Sequence, residues 1–150
     1  MSKSDAFENQ LLLLLFNNTT IANVGDAGGI LKSVADGSVY IRLYTSAVTV
    51  NDSTTGTECA YTGYVQYGVA VARTVGGWTV ATNNASNAAA ITFGACTAGS
   101  ETVRFFAIWK TNVDATAANR LYWGQLTSDL AVSSGITPEF AIGALDVNED

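Results

Sequence analysis

Histidine is absent from this chain, proline occurs once, cysteine twice, and Lys and Arg together number 7. Each scarcity excludes something. Without His there is no imidazole acid–base pair, no Ser-His-Asp triad and no His-ligated zinc. Two Cys cannot build a four-thiolate zinc site or a multi-bridge secreted scaffold. The 7 basic residues face 13 acidic ones, for a net charge of −6. Such a chain lacks the clustered cations that a phosphate backbone requires, so no nucleic-acid partner is expected. Charged residues of both signs make up only 13% of the sequence, against about 25% in an ordinary soluble domain.

What replaces the charge is Thr, Ser and Asn. Hydroxyls and amides cost less to desolvate than ions, so a surface of this kind suits a protein that spends its life packed against other subunits. At 150 residues the chain is long enough to bury a substantial core as one domain.

The most apolar run, Leu11–Phe16, is only six residues long. A membrane helix needs roughly twenty residues and a signal h-region about 7–15. No membrane partner and no secretory route are expected. A helix explains the run better. Asp5 and Glu8 have capping-box spacing, with Ser4 as an alternative N-cap, and Asn17 and Asn18 supply the stop. Phe7, Leu11, Leu14 and Leu15 fall on one face, while Leu12, Leu13 and Phe16 make the helix apolar nearly all round. It either lies in the core of its own domain or inserts between subunits as a docking element. We therefore take residues 1–18 as a helical arm and 19–150 as a single β domain.

Beyond a Gly-rich loop the period changes. Ser38–Thr45 alternates strictly, with Val39, Ile41 and Leu43 on one face and Tyr40, Arg42 and Tyr44 on the other. Further strands are predicted at Tyr64–Ala72, Trp78–Ala81, Ala88–Phe93, Glu101–Lys110, Asn119–Leu126, Leu130–Ser133 and Glu139–Val147. Polar loops fall at Asn51–Glu58 and around Asn83, Asn84, Ser86 and Asn87. The adjacent Phe105 and Phe106 imply burial on both faces of their strand, or a bulge. The expected fold is mostly β: an antiparallel β-sandwich or jelly roll of about eight strands with one N-terminal α-helix.

Few residues offer chemistry. Cys59 and Cys96 are read as free, buried thiols, and a catalytic Cys would find no His as its base. Asp52, Gly56 and Glu58 do not have the EF-hand spacing, so a solvated hairpin loop is the expected reading and no metal is assigned. Glu101 and Glu139 each stand at a predicted strand start, a rim position that does not suit a pair of glycosidase carboxylates. The glycine-rich stretches lack the Lys-Ser or Lys-Thr of a phosphate loop. No cofactor and no catalytic residue are expected, and the chain is not read as an enzyme. Trp78, Trp109, Trp123, Tyr61, Tyr64, Tyr67 and Tyr122 form an aromatic set that either fills a core or contacts sugars or proteins. Trp109 belongs to the core on this reading. Tyr40 and Tyr44 point away from the apolar face of their strand and are candidate contact residues. The interface is thus assigned to Phe7, Leu11, Leu12, Leu14, Leu15, Phe16, Tyr40 and Tyr44.

Several blocks in order resemble one group of proteins. They are SKSDAFENQLLLLLFNN at Ser2–Asn18, YIRLYTS at Tyr40–Ser46, GTE at Gly56–Glu58 and GY at Gly63–Tyr64. NAAAITF at Asn87–Phe93, FFAIW at Phe105–Trp109, LYWGQLT at Leu121–Thr127 and SGITPEFAIGALDV at Ser134–Val147 follow. Together they are similar to small structural proteins of tailed bacteriophages, loosely labelled tail fibre proteins. Two positions depart from that pattern: Gln66 stands where Arg is common, and Lys110 where Asp is common. The resemblance implies a virion protein made in the host bacterial cytoplasm. Low charge and an apolar arm favour a decoration or cement protein on the outer capsid surface. It would bridge major capsid protein subunits, with self-association as a homotrimer. A tail, collar or baseplate component is the alternative, and a sandwich that binds host glycans through Tyr and Trp is the second.

Overall fold

The computed structural model describes residues 2–48 and 56–149. Contacts gather the chain into two compact units. One comprises Met1–Ser38, Ala72–Ile91 and Phe140–Asp150; the other comprises Val39–Val71 and Thr92–Glu139. Among the described residues there are one α-helix and nine strands, and the strand pairings are antiparallel. The expected class, mostly β with an N-terminal helix, is what forms.

The first unit holds helix α1 (Asp5–Asn17), packed on β3 (Trp78–Ala81) and β4 (Asn84–Asn87), with β9 (Asp146–Asn148) beyond. Ser4, not Asp5, is the N-cap: its hydroxyl accepts the Phe7 amide at 3.4 Å, which makes Asp5 the first helical residue. Asn18 ends the helix in the left-handed region at φ 47°, a conformation its short side chain tolerates. The buried stripe is Glu8, Leu12 and Phe16, and the Phe7, Leu11, Leu14 and Leu15 face is half-buried. Phe16 meets Trp78 at 4.4 Å between ring centroids, and the large Trp78 ring sets which side of an all-round apolar helix turns inward.

Strand β4 occupies the Asn-rich stretch that reads as a loop. Side-chain hydrogen bonds override its poor strand propensity. Asn84 Nδ2 donates to Asn148 Oδ1 at 3.0 Å across the β4–β9 pair. Asn87, 1% exposed, donates to the Ala89 and Ala141 carbonyls, and its Oδ1 accepts the Leu145 amide.

In the second unit β1 (Ser38–Tyr44), β2 (Val69–Ala72), β6 (Ser100–Trp109) and β7 (Arg120–Ser133) form a sheet in the order β2-β1-β6-β7. Strand β1 is covered on both faces. Val39, Ile41 and Leu43 are buried as expected, but so are Arg42 and Tyr44. Tyr44 packs with Val48, Ala107 and Trp109, and Tyr40 lies against that cluster. The register of β6 with β7 shifts between Val103 and Phe105, which answers the adjacent phenylalanines with a bulge. Gly124 sits opposite Phe106, where a Cβ would come within 2.8 Å of the ring. The two strands expected at Asn119–Leu126 and Leu130–Ser133 are one continuous β7.

Elsewhere the predicted strands shorten. Tyr64–Gly68 turns instead of extending, because Tyr67 and Gly68 both take positive φ, and a Cβ on Gly68 would strike the Ile41 carbonyl. Ala88–Phe93 contributes only β5 (Ile91–Thr92), which pairs with β8 (Glu139–Phe140). The run expected from Glu139 to Val147 divides into β8 and β9, with Gly143 at φ 70° in the turn between them.

Candidate functional site

Arg42 is the least expected residue of the second unit: a guanidinium with no exposed side-chain surface, on the middle of a strand. A buried cation persists only where its charge and its protons are met. Its Nη2 donates to the Thr111 and Asp114 carbonyls, both at 2.8 Å. The guanidinium lies 3.9 Å from the Trp109 ring centroid and 5.0 Å from that of Tyr67, both cation–π distances. Nη1 stands 3.5 Å from Glu58 Oε2, an ion pair without a hydrogen bond.

Glu58 is the hub. Its Oε1 accepts the Tyr64 hydroxyl at 3.0 Å and the Tyr67 amide at 2.9 Å. Tyr64 in turn accepts the Leu43 amide at 3.1 Å. Burial pushes the Glu58 carboxyl above its ordinary value, and Arg42 pulls it partly back. Burial, then the Glu58 charge, pushes the Tyr64 phenol up as well. Sequence reasoning placed Glu58 in a solvated loop; the structure turns it inward. The signal was Arg42 itself, a charge in the middle of an otherwise apolar strand.

Beside this network lies a cleft of about 310 Å³ lined by Glu58, Cys59, Ala60, Tyr61, Tyr64 and Gln66. Glu101 fixes its floor by accepting the Ala60 amide at 3.0 Å and the Tyr61 amide at 3.3 Å. Tyr61 donates its hydroxyl to the Gly94 carbonyl at 3.0 Å and meets Tyr64 edge-on at 5.4 Å. Burial, then Glu101, pushes the Cys59 thiol up to about 12, so at neutral pH it is a protonated thiol and not a nucleophile. Both Cys59 and Cys96 are free and buried. The Tyr61 and Tyr64 hydroxyls are already committed to protein acceptors. Among the described residues no group of three or more Cys, Asp or Glu is placed to hold a metal ion. The arrangement can hold a ligand by hydrogen bonding.

The other candidates separate. Glu139 accepts the Thr92 hydroxyl at 2.7 Å, and Glu101 is occupied with backbone amides, so the structure does not join them as a catalytic pair. Asp52 lies outside the described residues. Trp78 and Trp109 are fully buried, whereas Trp123 is exposed. Of the residues assigned to an interface, Leu12 and Phe16 are consumed in the core of the first unit and Tyr44 in that of the second. Phe7, Leu11, Leu14, Leu15 and Tyr40 are half-buried.

Exposed large apolar residues are spread over the surface, Val75, Val113 and Ile142 among them, but a group of them falls in the loop that follows α1. Leu31 is 73% exposed and Val34 109%, with Val24 and Ile30 also open to solvent. The loop is held firmly. Ile21 and Ile30 exchange backbone hydrogen bonds at 3.0 and 2.8 Å. Asn18 Nδ2 donates to the Ser33 carbonyl at 3.0 Å, and Asn18 Oδ1 accepts the Ser33 amide at 2.8 Å. Arg73 donates to the Leu14 and Leu15 carbonyls at 2.6 Å and to Ser33 Oγ and the Asp36 carbonyl at 3.3 Å. The same guanidinium therefore closes the helix end and fastens the loop. A ILKSV stretch after three glycines was the sequence signal for this surface, hidden beside the louder leucine run.

Residues 2–148 match the family model described as podophage GP4 fiber I protein gp80. No curated protein matches the chain. The chain belongs to that family, and is a small phage structural protein of the fibre type.

Proposed function

We propose that this phage fibre-type protein is a non-catalytic component of a virion appendage, docked onto its neighbours through the loop after α1. The observation that carries the reading is the pairing of Leu31 at 73% and Val34 at 109% exposure with the Asn18 and Arg73 bonds that hold their backbone in place. Apolar side chains held out from a braced loop lower the ordering cost of association and present surface that gains from being covered. The protonated Cys59 thiol and the committed Tyr61 and Tyr64 hydroxyls support a role without chemistry. Decoration of the outer capsid, bridging major capsid protein subunits, is the second reading, and the 13% charged content of the whole chain favours it.

Labelled antibody and copy counting on purified virions decide between them. A few copies confined to the tail or neck fit the appendage; hundreds spread over the shell fit decoration and overturn it. The double variant Leu31→Asp, Val34→Asp is expected to fold with an unchanged Tm yet fail to enter particles. Normal incorporation would overturn the docking loop.

A further inference from the structure

We infer that the cleft at Glu58–Gln66 is a binding site for a neutral polyhydroxylated ligand the size of one sugar ring. Its volume of about 310 Å³ stands at the small end of ligand sites, which run from about 300 to 1,000 Å³. The chemistry of the lining then narrows the class.

The phenols of Tyr61 and Tyr64 are spent on Gly94 and Glu58, so they contribute shape and not free donors. Glu58 Oε1 already accepts two hydrogen bonds. Oε2 has only the 3.5 Å contact with Arg42 and keeps open lone pairs, and the Glu58 side chain is 17% exposed. At the rim Gln66 is exposed, and among the described residues its amide has no side-chain partner. The open polar functions are therefore one carboxylate oxygen and one primary amide. A hydroxyl donating to Oε2 forms a charge-assisted bond, and a neighbouring hydroxyl can accept from the Gln66 amide.

Charge excludes the other classes. An anion would meet the Glu101 carboxylate bound to the backbone of Ala60 and Tyr61, and would gain little from an Arg42 guanidinium already paired with Glu58. A cation would meet a carboxylate whose charge is already answered by the buried Arg42, and would feel that guanidinium's repulsion. A neutral polyol satisfies the acceptor with neither penalty. The inference does not depend on the docking loop, which belongs to the other unit.

Isotope-labelled protein titrated with methyl glucoside, methyl galactoside and N-acetylglucosamine provides the test, with methylguanidinium and acetate as charged comparators. Saturable, millimolar shifts of the Ala60, Tyr61 and Gln66 amides are expected with at least one sugar. Ala60 is exposed, so Ala60→Leu fills the cleft without touching the Arg42 network and is expected to abolish the shifts at unchanged Tm. Gln66→Ala should weaken binding about tenfold, equivalent to ~1.4 kcal/mol. Shifts that fail to saturate with every sugar, that persist in Ala60→Leu, that titrate with unchanged affinity in Gln66→Ala, or that are stronger with methylguanidinium or acetate would overturn the assignment.

Discussion

At the scale of single residues, the second unit is organised by protons and charges that have left water. Burial pushes the Cys59 thiol from 9.0 to about 12 and the Tyr44 phenol from 10.0 to about 12. A raised acid keeps its proton in the folded state while the unfolded chain releases it. The stability these groups contribute is fully present below pH 9 and falls as pH rises toward 12, by about 1.4 kcal/mol per pH unit for each group that has passed its unfolded value. Thermal melts from pH 8 to 12 should therefore be flat at first and then fall steeply. Tyrosinate absorbance from Tyr44 should appear together with unfolding; its appearance in the native state would refute the assigned burial. Arg42→Ala leaves the partly buried Glu58 without its counter-charge and is expected to cost about 3 kcal/mol in urea unfolding, the low end for breaking a buried pair. The buried Cys59 thiol was legible in the sequence, and Arg42 stood out as a charge in an apolar strand; the network around them was not. Alternation put Arg42 and Tyr44 on an outer face, and only the aromatic cover of Trp109 and Tyr67, remote in sequence, turned that face into an interior.

At the scale of elements, the helix and its following loop act together. Asn18 serves twice, through its left-handed backbone and through an amide that bonds Ser33 on both sides. The two roles separate by mutation. Asn18→Gly keeps the conformation and loses the amide, so hydrogen exchange at the Ser33 amide should accelerate strongly while the helix persists. Asn18→Ala loses both and should destabilise further, by about 1 kcal/mol beyond the glycine variant. Phe16→Ala opens a void against Trp78 and should cost about 3–5 kcal/mol. The helix, its stop at Asn17 and Asn18, and the strands β1, β3 and β6 were readable because their periodicity is strong. Their inward faces were less so: the helix is apolar nearly all round, so sequence could not choose between the Phe7–Leu15 face and the Leu12–Phe16 stripe. β4 was missed for a different reason. Its Asn residues look like loop formers until Asn148, Ala141 and Leu145, some sixty residues on in the chain, supply their partners.

At the scale of the whole molecule, low charge and exposed apolar residues suit a chain that is one part of a larger particle, and the family match agrees. The segmentation of the first unit adds a constraint of another kind, on the order of events during synthesis. That unit needs the first 38 residues and the segment Phe140–Asp150, which supplies β9 beside β4. Translation delivers Met1–Ser38, Ala72–Ile91 and Phe140–Asp150 in turn, with the two halves of the second unit between them, at about 5–20 residues per second. The leucine-rich helix is thus made before β3 and β4, the strands it packs on, and is covered only once Trp78–Asn87 has left the ribosome. In that interval Leu11–Phe16 is a natural chaperone ligand. Nascent chains stalled before Trp78 should crosslink to a ribosome-bound chaperone through this segment, and chains in which Asn87 has cleared the ribosome should not.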